Sequence, residues 1–288
     1  MYKIAILGCE NSHANSFLKY IRDNEAYSDI ETLGVYSIDR EAAEKLSAEF
    51  GVKVMDAPDQ FVGQLDGLII TARHGGYHYQ FAKPYLSDCI PMFIDKPITV
   101  TEEDAIEFAK ELKEKNIPVS GGSSLIYSKE ICELRDKVKA GEGCKVLGGF
   151  MRAPVNLSNP HGDFYFYAQH LVSMMTEVFG MYPEAVYAHQ NGEVVNCQVS
   201  YKEFDVNLSF VDGNYKYSAF ISTADGCVGG EVSMDGIFEK EFEAFDQILR
   251  GKNAGESLNE FFAPVYIMNA IERSFKSGNR ETINYKLI

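Results

Sequence analysis

Up to residue 122, short and almost uninterrupted apolar runs alternate with segments whose apolar residues recur at helical spacing, a pattern that few folds accept. Lys3 to Gly8 reads as a strand, and Ala14, Phe17, Leu18 and Ile21, at i, i+3, i+4 and i+7, read as the buried stripe of a helix. The next unit pairs TLGVYS with a helix from Asp39, a natural N-cap, through Ala43, Leu46 and Phe50 to Gly51 just past its end. A short VKVMD strand and a helical turn opened by Pro58 lead to the strand LDGLIITA. Then come a helix from Tyr77 to Ser87, the strand IPMFID, a helix from Thr101 to Lys115 and the strand IPVSGG. A strand with one wet face alternates polar and apolar residues, whereas unbroken apolar runs signal burial on both faces. The predicted class is α/β, with a doubly wound parallel sheet of Rossmann type in this part.

From Ser123 the texture changes. After a helix from Ser128 to Ala140, the segments EVVNCQVSY, DVNLSFVDG and YKYSAFIST alternate polar with apolar residues, and turn residues such as Asp212-Gly213-Asn214 separate them. Successive hairpins and a largely antiparallel open sheet in an α+β domain follow. Phe238, Phe242, Phe245 and Leu249 mark an amphipathic helix, and Ser257 with Glu260 has the spacing of a capping box for a last one. A chain of 288 residues suits two domains of roughly 150 each, here 1–122 for a dinucleotide and 123–288 for substrate and oligomerisation.

Lys plus Arg number 27 against 42 Asp plus Glu, a formal charge of −15 that repels a phosphate backbone and excludes nucleic acid as the expected partner. No uncharged apolar stretch approaches the roughly 18 residues of a membrane span, so no membrane is expected either. The residues before Cys9 are too few for a signal peptide, and the six cysteines (Cys9, Cys89, Cys132, Cys144, Cys197 and Cys227) are scattered. Reduced thiols in a cytoplasmic protein are the expectation.

The loops after the predicted strands carry the chemistry, because open α/β sheets bind ligands beyond the carboxyl ends of their strands. The first loop reads Gly8-Cys9-Glu10-Asn11-Ser12-His13. Against G-x-G-x-x-G it keeps the first glycine, puts Glu10 at the second and His13 at the third. Glu10 sets a carboxylate where phosphates approach, while Asn11, Ser12 and His13 open a helix and can donate to an anion, unless Ser12 merely caps it. Beyond the second strand, Ser37, Asp39 and Arg40 suit either the ribose hydroxyls of NAD or the extra phosphate of NADP, and Asp39 suits a helix cap equally well. Thr71, Arg73, His74 and His78 form a polar cluster after LDGLIITA. A metal at His74 and His78 is not expected, since Gly75-Gly76 interrupts the helix that would align them. FIDKPIT places Lys96 at the same edge, where an ammonium can steady oxyanion charge or relay a proton, or simply pair with Asp95.

FIDKPIT resembles the E-K-P segment of the glucose-fructose oxidoreductase, inositol dehydrogenase and rhizopine-catabolism (Gfo/Idh/MocA) family, with Asp95 in place of the usual glutamate. The family's histidine at the start of the following helix matches His78, and its G-x-H helix resembles Tyr167-Ala168-Gln169-His170 leading to EVFG. The closing segments FEAFDQILRGK and APVYIMNAIERSFKSG are similar to the family's last helices, so the likeness spans nearly the whole chain. It implies a Rossmann domain joined to an open α/β domain, with Lys96 and His170 as the proton-handling residues. The family's catalytic aspartate, one helical turn before the histidine, falls on Phe166.

On helical geometry, Leu171, Val172, Met175, Val178 and Phe179 share one face and His170 lies on the other, with Phe166, Ser173, Met174 and Glu177. His170 on that face is consistent with a cleft or with a solvated surface. His161, Asp163, Tyr165 and Tyr167 are candidates to line a polyol or sugar pocket, Asp163 as a substitute for the missing carboxylate and one of the two tyrosines as plain packing. The expected function is hydride transfer between NAD or NADP and a secondary alcohol of a sugar, polyol or related small carbohydrate, in a homodimer or homotetramer. Two alternatives stay open: a lyase or glycosidase using NAD for transient oxidation, and a non-catalytic nucleotide- or sugar-binding sensor.

Overall fold

The computed structural model describes residues 1–140, 145–211 and 213–288, so Cys144 and Asp212 fall outside the described residues. The first sheet has five strands, β1 (Tyr2–Leu7), β2 (Ile30–Tyr36), β3 (Gly67–Ile70), β4 (Met92–Asp95) and β5 (Val119–Gly122), in the order β2-β1-β3-β4-β5. All four pairings are parallel. After β2 the chain crosses to the far side of β1, so the direction of winding reverses beside β1 and a crevice opens at the carboxyl edge there. Helices α1 (Ser12–Asp23), α2 (Arg40–Phe50) and α4 (Glu102–Glu114) follow β1, β2 and β4. Asn11, Asp39 and Thr101 cap them, each side chain accepting from amides of the first turn.

Three local expectations are corrected. VKVMD forms only a single bridge, Val54 to Val35, at the sheet's edge. The segment after β3 is not one helix: a 3-10 turn at Gly75–Tyr77 precedes α3 (His78–Ala82), and a 3-10 stretch, Lys83–Asp88, follows it. Pro84, which has no amide proton and crowds the preceding turn, lies at the start of that stretch. Ser257 does precede α8 (Leu258–Ser277), but its side chain makes no capping bond.

The second sheet has seven strands: β6 (Val146–Pro154), β7 (Ala185–Asn191), β8 (Val194–Ser200), β9 (Asp205–Val211), β10 (Tyr217–Thr223), β11 (Gly226–Val232) and β12 (Glu281–Thr282). Their order is β11-β10-β6-β9-β8-β7-β12. β9 and β10 are therefore not a hairpin. β6 lies between them, parallel to β9 and antiparallel to β10.

Helix α5 (Lys129–Ala140) packs against α6 (Tyr165–Phe179), which is also covered by α8 and by β6. Both faces of α6 are consequently buried, which removes the reading of His170 as a solvated surface residue. Helix α7 (Ile237–Leu249) returns to the first sheet, where Phe242 and Phe245 join Phe17 and Phe93 in one aromatic core. Buried aromatic edges at such distances stabilise by about 1 kcal/mol per pair beyond their burial. This return brings α7 to one wall of the crevice.

Candidate active site

The crevice holds a cavity of about 180 Å³, roughly the share of six waters, lined by α1, the ends of β3 and β4, α6 and α7. Lys96, His170 and His13 all reach it, although they are only 9%, 8% and 5% exposed. Lys96 is there because β4 ends at Asp95 and the chain turns at Pro97 through a cis peptide. Its Nζ lies 4.3 Å from the centre of the Phe166 ring and 6.0 Å from that of Tyr167, a cation held between aromatic faces. Burial pushes the Lys96 ammonium below the usual lysine range, Asp95 opposes that shift and Arg73 adds to it.

On α6, the Nδ1 of His170 lies 2.7 Å from the Ser123 hydroxyl, just past β5. Among the described residues Nε2 has no hydrogen-bond partner. Burial, reinforced by the charges of Lys96 and His13, holds His170 well below the usual imidazole range, so the ring is neutral at pH 7. The Tyr217 ring meets it edge-on.

His13 sits between two buried carboxylates, Nδ1 at 3.3 Å from Asp95 and Nε2 at 3.1 Å from Glu241 of α7. Burial alone would lower its pKa, but the two carboxylates outweigh burial and raise it. Glu241 moves up in turn, chiefly through burial. The positive charges of His13 and Lys96 thus face one cavity, held by Asp95 and Glu241 behind them. Glu241 is legible in part: it falls three residues after Phe238 and four before Phe245, inside the apolar stripe of α7.

The expected site residues take up different places. Asn11, Ser12, His13, Arg73, Lys96, Tyr167 and His170 line the cavity. Gly8, Thr71, His78 and Asp95 support it from within: Gly8 adopts φ +82 against Ala72, where a Cβ would fall 2.3 Å from backbone, and the Thr71 hydroxyl donates to Gly8 O. His78 is fully buried with Nε2 at 2.8 Å from Ala72 O, and Asp95 accepts from the Lys96 amide. Ser37, Asp39 and Arg40 lie beyond β2, on the other side of β1; Asp39 caps α2 and Arg40 pairs with Glu44. His161 lies 3.4 Å from the Arg73 guanidinium. Asp163 is exposed at the surface and does not line the cavity, and the Tyr165 hydroxyl turns to Asn269 and Glu272 on α8. The expectation missed Ser123, Tyr217, Phe238 and Glu241, because the first two are ordinary in local context and the last two come from a distant helix.

Set against an NAD molecule, the residues fit at both ends. Beyond β2, Ser37 and Asp39 offer polar groups for a ribose, and around the cavity Lys96, His170 and Tyr167 surround a space for a reacting pair. The exception is Glu10, whose carboxylate lies over the end of β1. Among the described residues no group of three or more His, Cys, Asp or Glu side chains is placed to hold a metal ion.

The first sheet has the order and crevice of a dinucleotide-binding Rossmann sheet. Residues 2–123 match the model of the GFO_IDH_MocA family, described as "Oxidoreductase family, NAD-binding Rossmann fold". No curated protein sequence matches the chain. Among solved structures, the scyllo-inositol dehydrogenase of Lactobacillus casei with bound NAD(H) and scyllo-inositol superposes with a TM-score of 0.84 at 14% identity, covering 98% of this chain and 99% of that one. The myo-inositol dehydrogenase of the same organism, in complex with NAD(H) and myo-inositol, gives 0.83 at 15% identity, with 99% and 97% covered. GenD2 from gentamicin A biosynthesis, in complex with NAD, gives 0.82 at 12% identity, with 98% and 96% covered. At these identities the likeness is one of fold, and it extends over both sheets.

Proposed function

We propose that the protein is an NAD-dependent dehydrogenase that oxidises a secondary alcohol of a small polyol or sugar, or reduces the corresponding ketone. Residues 1–122 would hold the cofactor and 123–288 the substrate. One observation carries this reading: a buried, depressed lysine and a buried, neutral histidine face the same cavity at the carboxyl edge of the parallel sheet. When bound, NAD would supply the hydride acceptor at its nicotinamide carbon. Lys96 holds the reacting oxygen by its ammonium and stabilises the charge that develops there. Nε2 of His170 takes the hydroxyl proton in oxidation and returns it in reduction, while Ser123 on Nδ1 fixes the ring. Arg73, His161 and Tyr167 present donors and an aromatic face suited to hydroxyl groups.

No helix among the described residues is long and apolar enough to cross a membrane, and the described cysteines are free, which supports a cytoplasmic site of action. Pairing of subunits through the second sheet is part of the same reading, supported by exposed Leu147 and Phe150 beside Phe220 on one outer groove. The test is a screen of polyols and sugars with NAD at 340 nm. Turnover of at least one supports the reading, and retained NADH binding with no oxidation or reduction across the panel favours a sensor.

A further inference from the structure

The crossing that a dinucleotide must make is occupied by the chain itself. In the order β2-β1-β3-β4-β5, the two halves of a dinucleotide lie on opposite sides of β1, so its pyrophosphate passes over the carboxyl end of that strand. Glu10, two residues beyond Gly8, spans this point. Its Oε2 accepts from the Ser37 hydroxyl at 2.7 Å, beyond β2, and its Oε1 accepts from the Arg73 amide at 3.0 Å, beyond β3. One carboxylate therefore ties together the loops that follow three adjacent strands.

The neighbouring donors are engaged as well. Asn11 Oδ1 accepts from the amides of His13 and Ala14, and its Nδ2 donates to Thr71 O and to Asp95. Two amides of the first turn, those of His13 and Ala14, thus already serve the Asn11 side chain, and the Arg73 amide serves Glu10. No arginine or lysine forms an ion pair with Glu10 among the described residues. Its charge faces whatever anion arrives.

We propose that Glu10 is an internal stand-in for the cofactor's pyrophosphate: a carboxylate latch that holds the empty crossing closed and must swing aside for a dinucleotide to enter. The inference rests on the NAD reading and adds to it a residue that sets cofactor affinity. Turning Glu10 outward frees the Ser37 hydroxyl and the Arg73 amide, both already aimed at an anion over β1. The Arg73 side chain lines the adjoining cavity, and its charge favours phosphate once the carboxylate has left. The latch thus costs affinity while leaving the site's own donors in position.

The experiment is calorimetric titration of NADH into wild type, Glu10→Gln, Glu10→Gly and Ser37→Ala, each shown to melt cooperatively. Glu10→Gln removes the charge at nearly constant shape, whereas Ser37→Ala keeps the charge and removes a hydroxyl that the cofactor would itself use. The expected result is a dissociation constant at least tenfold lower in both Glu10 variants and no such gain in Ser37→Ala. Equal or weaker NADH binding by Glu10→Gln, with measurable binding by wild type, overturns the latch and leaves the cofactor reading standing. Absence of NADH binding in all four proteins overturns both.

Discussion

The ammonium of Lys96 lies over the face of the Phe166 ring, 4.3 Å from its centre, and Phe166 stands one helical turn before His170 on α6. An aromatic face stabilises a cation by about 0.5–2 kcal/mol without offering a proton acceptor. The ring thus holds Lys96 in place, burial rather than the ring lowers its pKa, and no acceptor for the proton stands on that side. Replacing Phe166 by Asp sets an opposite charge beside Nζ, which favours the ammonium form. The Lys96 pKa should rise by about one unit or more in Phe166→Asp, read from the pH dependence of its reaction with an amine-directed reagent. An unchanged profile would mean that Phe166 does not set the charge state of Lys96.

Ser123 fixes His170 through a single 2.7 Å contact to Nδ1. A hydrogen bond of about 1 kcal/mol, lost at the group that moves the proton, corresponds to roughly a five- to tenfold fall in turnover. Ser123→Ala should therefore reduce kcat by about that factor with little change in KM. Because His170 lies well below the imidazole range, wild-type turnover should stay level as pH falls from 8 to 6. A loss of activity centred near pH 6.5 would show that the histidine titrates as if exposed.

Behind Ser123, a second cavity is lined by Gln169, Ser173, Glu177 and Glu256. Burial, with the charges of Glu177, Glu241 and Glu260, pushes Glu256 up to about 8, although the Gly121 amide opposes the shift. The folded pKa lies above the unfolded one, so the associated stability is fully present below about 4.5 and is lost as pH rises toward 8. Glu256→Gln should melt at a higher temperature than wild type at pH 8, and the difference should shrink as pH falls to 5. Parallel melting curves across that range would contradict the assignment.

The first sheet was legible because unbroken apolar runs such as LDGLIITA admit only a strand covered on both faces. The second was legible as antiparallel strands but not in their order. DVNLSFV and YSAFIST alternate in the same way whether they pair with each other or, as observed, both with β6. At the site, Lys96 and the loop after β1 declared themselves by their place at strand ends. Ser123 did not, and Glu241 did only as a carboxylate inside an apolar stripe, since their roles arise from contacts with His170 and His13. His78 shows the converse: a polar residue in a promising loop whose ring is spent on the Ala72 carbonyl.

The most direct test of the account is a single-turnover reaction at 340 nm with protein in excess of NAD and a polyol substrate from the screen, run in parallel on wild type and Lys96→Met. The account predicts rapid formation of one equivalent of NADH by wild type. Lys96→Met should bind NADH comparably and react at least about a hundredfold more slowly. Equal rates in the two proteins would contradict it, because the reacting oxygen would then not be held by Lys96.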